Sequence, residues 1–132
     1  MSTTHFPSEF RYTKDHEWIE GQSLTPRIGV TTFAVEQLGD IVHLELPKIG
    51  EEYKSGDSFG TIESTKTVSD LYMPVSGKIV AINLDAQKKP ETLQSDPYHQ
   101  GWLVQVEALI KEDIEKLMSS KEYEKYLQDS AD

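Results

Sequence analysis

The chain has 132 residues, with 13 Lys and Arg against 23 Asp and Glu and a net charge of −10. That length supports one domain with one core, and the acidic balance disfavours nucleic acid phosphates and anionic membrane surfaces as partners. Without cysteine there is neither a disulfide nor a thiolate metal site, and no apolar run is long enough to span a bilayer. The histidines His5, His16, His43 and His99 show no metal-ligand spacing. Met1–Phe10 has neither a basic region with an apolar block nor an Arg-rich amphipathic pattern, so the expectation is a cytoplasmic protein.

Along the chain, Met1–Ser8 reads as a mobile tail. Phe10–Thr13 alternates as a short strand. His16-Glu17-Trp18 opens the next, with Trp18 in the core, and Gly21-Gln22-Ser23 turns the chain. Leu24–Thr31 is a strand interrupted by Pro26, which cannot donate a ladder hydrogen bond and so implies an edge or a bulge. Thr32 is the expected cap of a helix over Phe33–Leu38, ended by Gly39. Ile41–Leu46 is a further strand, stopped by Pro47.

Phe59–Ile62 and Leu71–Val75 then flank a polar segment, Glu63–Asp70, which reads as a β-hairpin. No Asn-Gly or Asp-Gly pair is present there, so the loop is longer than two residues. Lys66 falls at or next to its exposed tip. Gly77–Asn83 is the next strand, and Pro90 starts a helical turn reaching Leu93. Asp96–Gly101 turns into the last strand, Trp102–Val106. Lys111–Gln128 is helical, with Ile110, Ile114, Leu117 and Met118 forming one apolar stripe, a break at Ser119-Ser120, and a second short helix through Tyr123, Tyr126 and Leu127. Many short strands between closely spaced turns indicate a mainly β domain with helical additions.

A tip lysine has little to pack against and offers its amine to solvent and to other proteins. Here Glu63 stands three residues before Lys66 and Asp70 four after, with Pro74 and Gly77 beyond. This arrangement, Glu-Ser-x-Lys-x-x-Ser-Asp followed by Pro-Val-Ser-Gly, resembles the lipoyl-lysine hairpin of the glycine cleavage H-protein family. Tyr12, His16, Glu17 and Trp18 match the family's opening, and Gly29-Val30-Thr31, Ala34, Gln37–Val42 and Glu45-Leu46-Pro47 continue the likeness. Asp96, Pro97, Tyr98, Gly101 and Trp102 fit a later motif, so the resemblance runs from about Tyr12 to Tyr126.

The resemblance implies a lipoyl/biotinyl-carrier-like flattened barrel or sandwich with short helices and a C-terminal helical segment. It implies residues 1–10 as a flexible tail, 11–128 as a single lipoyl-carrier domain including helices over 111–128, and 129–132 as a frayed end. It implies lipoic acid joined as an amide to Lys66. Partners follow: a glycine decarboxylase (P protein), an aminomethyltransferase (T protein), a dihydrolipoyl dehydrogenase (L protein), and a lipoyl ligase or transferase. The chain would be a non-catalytic carrier of an aminomethyl group. Glu17 and Asp70 are implied as a cleft for the loaded arm, and Glu63 as an acid read by the lipoylating enzyme.

Departures from the family pattern are Asp15 where some members have serine, Val35 for glutamine, Gln37 for histidine, Gln94 for asparagine, and the pair His99-Gln100. A lipoyl-relay protein supplying 2-oxoacid dehydrogenases is the alternative, because it needs the same lysine. Thr65-Lys66-Thr67 differs from the Met-Lys-Met triad of biotin carriers. An independent enzyme lacks support, since the sequence shows no nucleophile–base pair, metal spacing or phosphate loop.

Overall fold

The computed structural model describes residues 6–130 except Gln22 and Lys111. The expected tail over residues 1–5, the turn residue Gln22, the helix start Lys111 and the end residues Ala131 and Asp132 lie outside the described residues. In chain order the elements are β1 (Phe10–Tyr12), β2 (Glu17–Glu20), β3 (Arg27–Val30), α1 (Thr32–Leu38), β4 (Ile41–Glu45), β5 (Glu52–Tyr53) and β6 (Ser58–Ser64). There follow β7 (Val68–Tyr72), β8 (Gly77–Ile82), α2 (Leu84–Lys88), α3 (Thr92–Ser95), β9 (Val104–Ala108), α4 (Glu112–Glu115) and α5 (Ser120–Ser130).

The strands form two antiparallel sheets. One has six strands in the order β1-β2-β3-β9-β8-β5, and the other has three in the order β4-β6-β7. The fold is thus mainly β with short helices, and of the two expected forms it is the sandwich rather than a closed barrel. An aliphatic core draws on both sheets, with Ile19, Ile28, Val106, Leu44, Ile62 and Leu71 among its members. Alternation along β2 puts Ile19 in that core and Trp18 in a second, aromatic cluster with Phe6, Phe10, Tyr12 and Tyr123.

Trp18 stacks on Phe10 at 4.4 Å and donates its indole N–H to the Pro97 carbonyl at 3.0 Å. Its ring lies over Gly29, where a Cβ would come within 2.5 Å of the indole. Only glycine lets the two neighbouring strands hold a tryptophan there.

Several expectations change. Phe6 and Phe10, expected in a flexible tail, are buried in the aromatic cluster, and α5 runs on through Asp129. Pro26 is neither at an edge nor in a bulge of its strand. The strand begins after it, in the middle of the large sheet, and its carbonyl accepts from Val106 N–H at 3.0 Å. Thr31, not Thr32, caps α1, because its extended backbone (φ −82°, ψ 164°) lets Oγ1 accept from Ala34 N–H.

The polar stretch after β8 holds a helix, α2, that its composition concealed, capped by Asn83 accepting from Ala86 N–H. The stripe near residue 114 is not one packing face. Ile110 is half exposed, Ile114 enters the aliphatic core and Met118 joins the aromatic cluster. The helix breaks because Tyr12 and Met118 exchange backbone hydrogen bonds of 2.8 and 3.0 Å, drawing the chain across to β1.

Candidate functional site

The lysine hairpin is longer than its apolar runs suggest. Strands β6 and β7 pair through Thr61↔Asp70, Ile62↔Ser69 and Glu63↔Val68, leaving Thr65–Thr67 as the loop. The buried Ser64 closes that loop. Its N–H donates to the Thr67 carbonyl at 2.8 Å, and its Oγ accepts from the N–H groups of Lys66 (3.1 Å) and Thr67 (3.2 Å). Serine competes well for local backbone donors, which is why it suits this corner.

Thr65 N–H donates to the Asp40 carbonyl at 2.9 Å and ties the tip to the segment after α1. Lys66 is exposed, and its stem lies over Gly39, whose φ of 82° ends α1. A Cβ at Gly39 would stand 3.3 Å from Lys66 Cε, so glycine serves here both the turn and the lysine's path.

Between α1 and the two sheets is a cleft of about 150 Å³. Val30, Ala34, Leu38, Ile62 and Leu71 make its apolar lining. Asp15, His16, Glu17, Gln37 and Asp70 supply the polar groups. Glu17 is 2% exposed. Its Oε2 accepts from Tyr72 N–H at 2.7 Å, joining the large sheet to β7, while Oε1 is buried with no partner among the described residues.

Burial pushes the Glu17 carboxyl well above the usual carboxylate range, the Tyr72 bond works against this, and Asp15 adds to it. A buried acid with one oxygen unserved is a place for a hydrogen-bond donor, and a cationic one best restores the lost hydration. Asp70 stands exposed at the rim, accepting from Ser58 Oγ at 3.2 Å.

The structure therefore brings Glu17 and Asp70 to one cleft. Lys66 is outside its lining, at the hairpin tip, and Glu63 points away, exposed, opposite His43 on β4 and Val68 on β7. His16, expected as the start of a strand and as part of the family's opening motif, lines the cleft. It sits in a tight turn, Thr13–Glu17, with φ of 67°, a conformation that no periodic pattern announces. Asp15 and Gln37 line it too. Among the described residues no cluster of three or more His, Cys, Asp or Glu could hold a metal ion, and no helix is long and apolar enough to cross a membrane.

This sandwich with its lysine-tipped hairpin has the features of a known carrier-type family. The family model described as "Glycine cleavage H-protein" matches residues 10–130. A glycine cleavage system H protein from Oceanobacillus iheyensis is 47% identical over 123 residues, covering 93% of this chain and 98% of the relative. One from Anaeromyxobacter sp. (strain K) is 42% identical over 123 residues, covering 93% and 96%. The crystal structure of a glycine cleavage system H protein from Mycobacterium marinum aligns with a TM-score of 0.84 at 40% identity, over 96% of this chain and 99% of that one. The chain belongs to the glycine cleavage H-protein family.

Proposed function

We propose that this chain is the lipoylated carrier of the glycine cleavage system, a component that catalyses no step itself. Lys66 takes lipoic acid as an amide, and acylation removes the lysine's charge. When bound, the group supplies a disulfide that opens as cargo is taken up and closes on oxidation, which gives a redox role to a chain without cysteine.

The chain's own residues position and protect. Ser64 holds the tip so that Lys66 faces outward to a lipoyl ligase or transferase, with exposed Glu63 beside it as the acid such an enzyme reads. The apolar lining of the cleft excludes water from a labile aminomethyl cargo. Glu17, with Asp70 at the rim, receives the cargo's ammonium by charge-assisted hydrogen bonds. Glycine decarboxylase, aminomethyltransferase and dihydrolipoyl dehydrogenase are the enzymes visited, in the cytoplasm.

The observation that carries this reading is the unpartnered Glu17 oxygen, buried in a cleft beside a hairpin that presents a lysine. Intact mass and peptide mapping of the chain from its own cells test it. The expected result is a gain of one lipoyl amide at Lys66, and an unmodified lysine in lipoate-replete cells overturns the proposal.

A further inference from the structure

Thr31 is fully buried at the start of α1. Its Oγ1 accepts from Ala34 N–H at 3.2 Å, and its one other side-chain partner among the described residues is the Tyr123 hydroxyl at 2.9 Å. A buried hydroxyl hydrogen without an acceptor is costly. The Thr31 hydrogen therefore goes to the Tyr123 oxygen. Tyr123, on α5, then has its own hydroxyl hydrogen to place, and His16 Nδ1 lies 2.8 Å away. A phenol that accepts from Thr31 donates onward. Nδ1 of His16 is thus the acceptor, and the hydrogen of the neutral ring sits on Nε2.

The rest of the surroundings hold that ring in place. His16 N–H donates to the Thr13 carbonyl at 3.1 Å, and its own carbonyl accepts from Thr31 N–H at 3.0 Å. The imidazole packs 4.7 Å from the Phe33 ring of α1 and 5.9 Å from Tyr123.

We infer that Tyr123 is a positioning residue of the cleft: through this hydrogen-bond relay α5 locks His16 as the neutral, Nε2–H imidazole, so the wall beside Glu17 adds no positive charge. The inference rests on the carrier reading, in which the cleft must keep its negative character for a cationic cargo. Protonating Nδ1 turns the Tyr123 hydrogen back toward Thr31, whose own hydrogen then has no acceptor. Burial of the ring acts in the same direction and lowers its proton affinity, against the pull of Asp15. The other ionisable groups around it are Glu17 next in sequence, Asp70 across the cleft, Tyr123 and Tyr126 from α5, and Lys14, whose ammonium lies 5.9 Å over the Tyr126 ring, while α1 packs Phe33 on it. The nearby acids favour a charged ring, and the relay, with the Lys14 cation, opposes them.

Long-range nitrogen–proton NMR spectra of the full chain test the tautomer directly. The expected wild-type spectrum at pH 7 is that of the neutral Nε2–H form at His16. Tyr123→Phe keeps the aromatic packing and removes the relay. It should give mixed tautomers and raise the protonation midpoint of His16 by about one pH unit, a tenfold change in proton affinity. Thr31→Ser keeps a hydroxyl and should reproduce the wild-type spectrum.

An Nδ1–H or charged ring in the wild type overturns the inference, as does a Tyr123→Phe spectrum and midpoint equal to wild type. If Tyr123→Phe does not fold, the wild-type spectrum still decides the tautomer. Loading of Lys66, followed separately by mass, decides the carrier reading, so the two failures are distinguishable.

Discussion

Lys66 stands on a loop whose backbone is closed by one serine and whose amine faces solvent, while Glu17 is sealed between two sheets with one oxygen served by Tyr72 and the other by no group among the described residues. An exposed charge costs the fold almost nothing, so its chemistry can be exchanged without touching stability. A buried carboxylate opposes folding until something pairs with it. The tip is therefore a place where function and stability separate, and the cleft is one where they are coupled.

The sharpest break in this comparison is Lys66→Arg. It should abolish lipoyl loading, read by intact mass, and glycine cleavage with purified partners, yet leave stability within about 0.5 kcal/mol. A large loss of stability would mean that the lysine is part of the packing after all.

Glu17→Gln should move both quantities. The loss of a charge-assisted bond, worth about 1.5–3 kcal/mol, should shorten the lifetime of the aminomethylated carrier at least about tenfold. The unloaded chain should gain on the order of 1 kcal/mol at neutral pH. Because the folded Glu17 holds its proton more tightly than the unfolded one, wild-type stability is highest below the ordinary carboxylate range and falls as pH rises through the raised native value. Urea unfolding across that range should show this slope in the wild type and not in the variant. A flat difference would mean that Glu17 titrates as an ordinary acid.

Ser64→Ala probes whether the tip carries any stability. It should cost about 1 kcal/mol through the lost bonds to two backbone donors and speed hydrogen exchange at the Lys66 and Thr67 amides. Unchanged exchange would show that the backbone turn closes without the side chain.

Asp70→Asn should be the mildest change. At an exposed rim position it should alter stability by less than about 0.5 kcal/mol and shorten the lifetime of the loaded form less than Glu17→Gln does. An equal or greater effect from Asp70 would move the centre of the cleft's charge to its rim.

The tip was legible because everything that makes it is local. Two apolar runs, a polar interval and a lysine between them occupy one short stretch, and the structure extends both strands toward the tip while ending the second at Tyr72 rather than Val75. The cleft was not legible from residue pattern, because Glu17 meets its donor at Tyr72, 55 residues on, and nothing near Glu17 marks it as buried. Its matching position came from the family resemblance alone.

His16 failed for a related reason. A histidine with positive φ, bonded to a tyrosine on the last helix, leaves no mark on strand alternation. Helix ends were misplaced by single residues where two threonines adjoin, since Thr31 and Thr32 are equally good caps until the backbone decides. The stretch near residue 114 misled because its apolar residues serve different cores.

The bond from Thr65 N–H to the Asp40 carbonyl, with the Lys66 stem resting on Gly39, gives a tethered group a fixed pivot. Under the carrier proposal, an arm on that pinned root would meet the cleft as an intramolecular partner, at an effective concentration on the order of millimolar. The cleft need not bind its occupant tightly to be filled most of the time. A weak hold of that kind would retain the proposed cargo between encounters and yield it when a partner's active site offers a better fit.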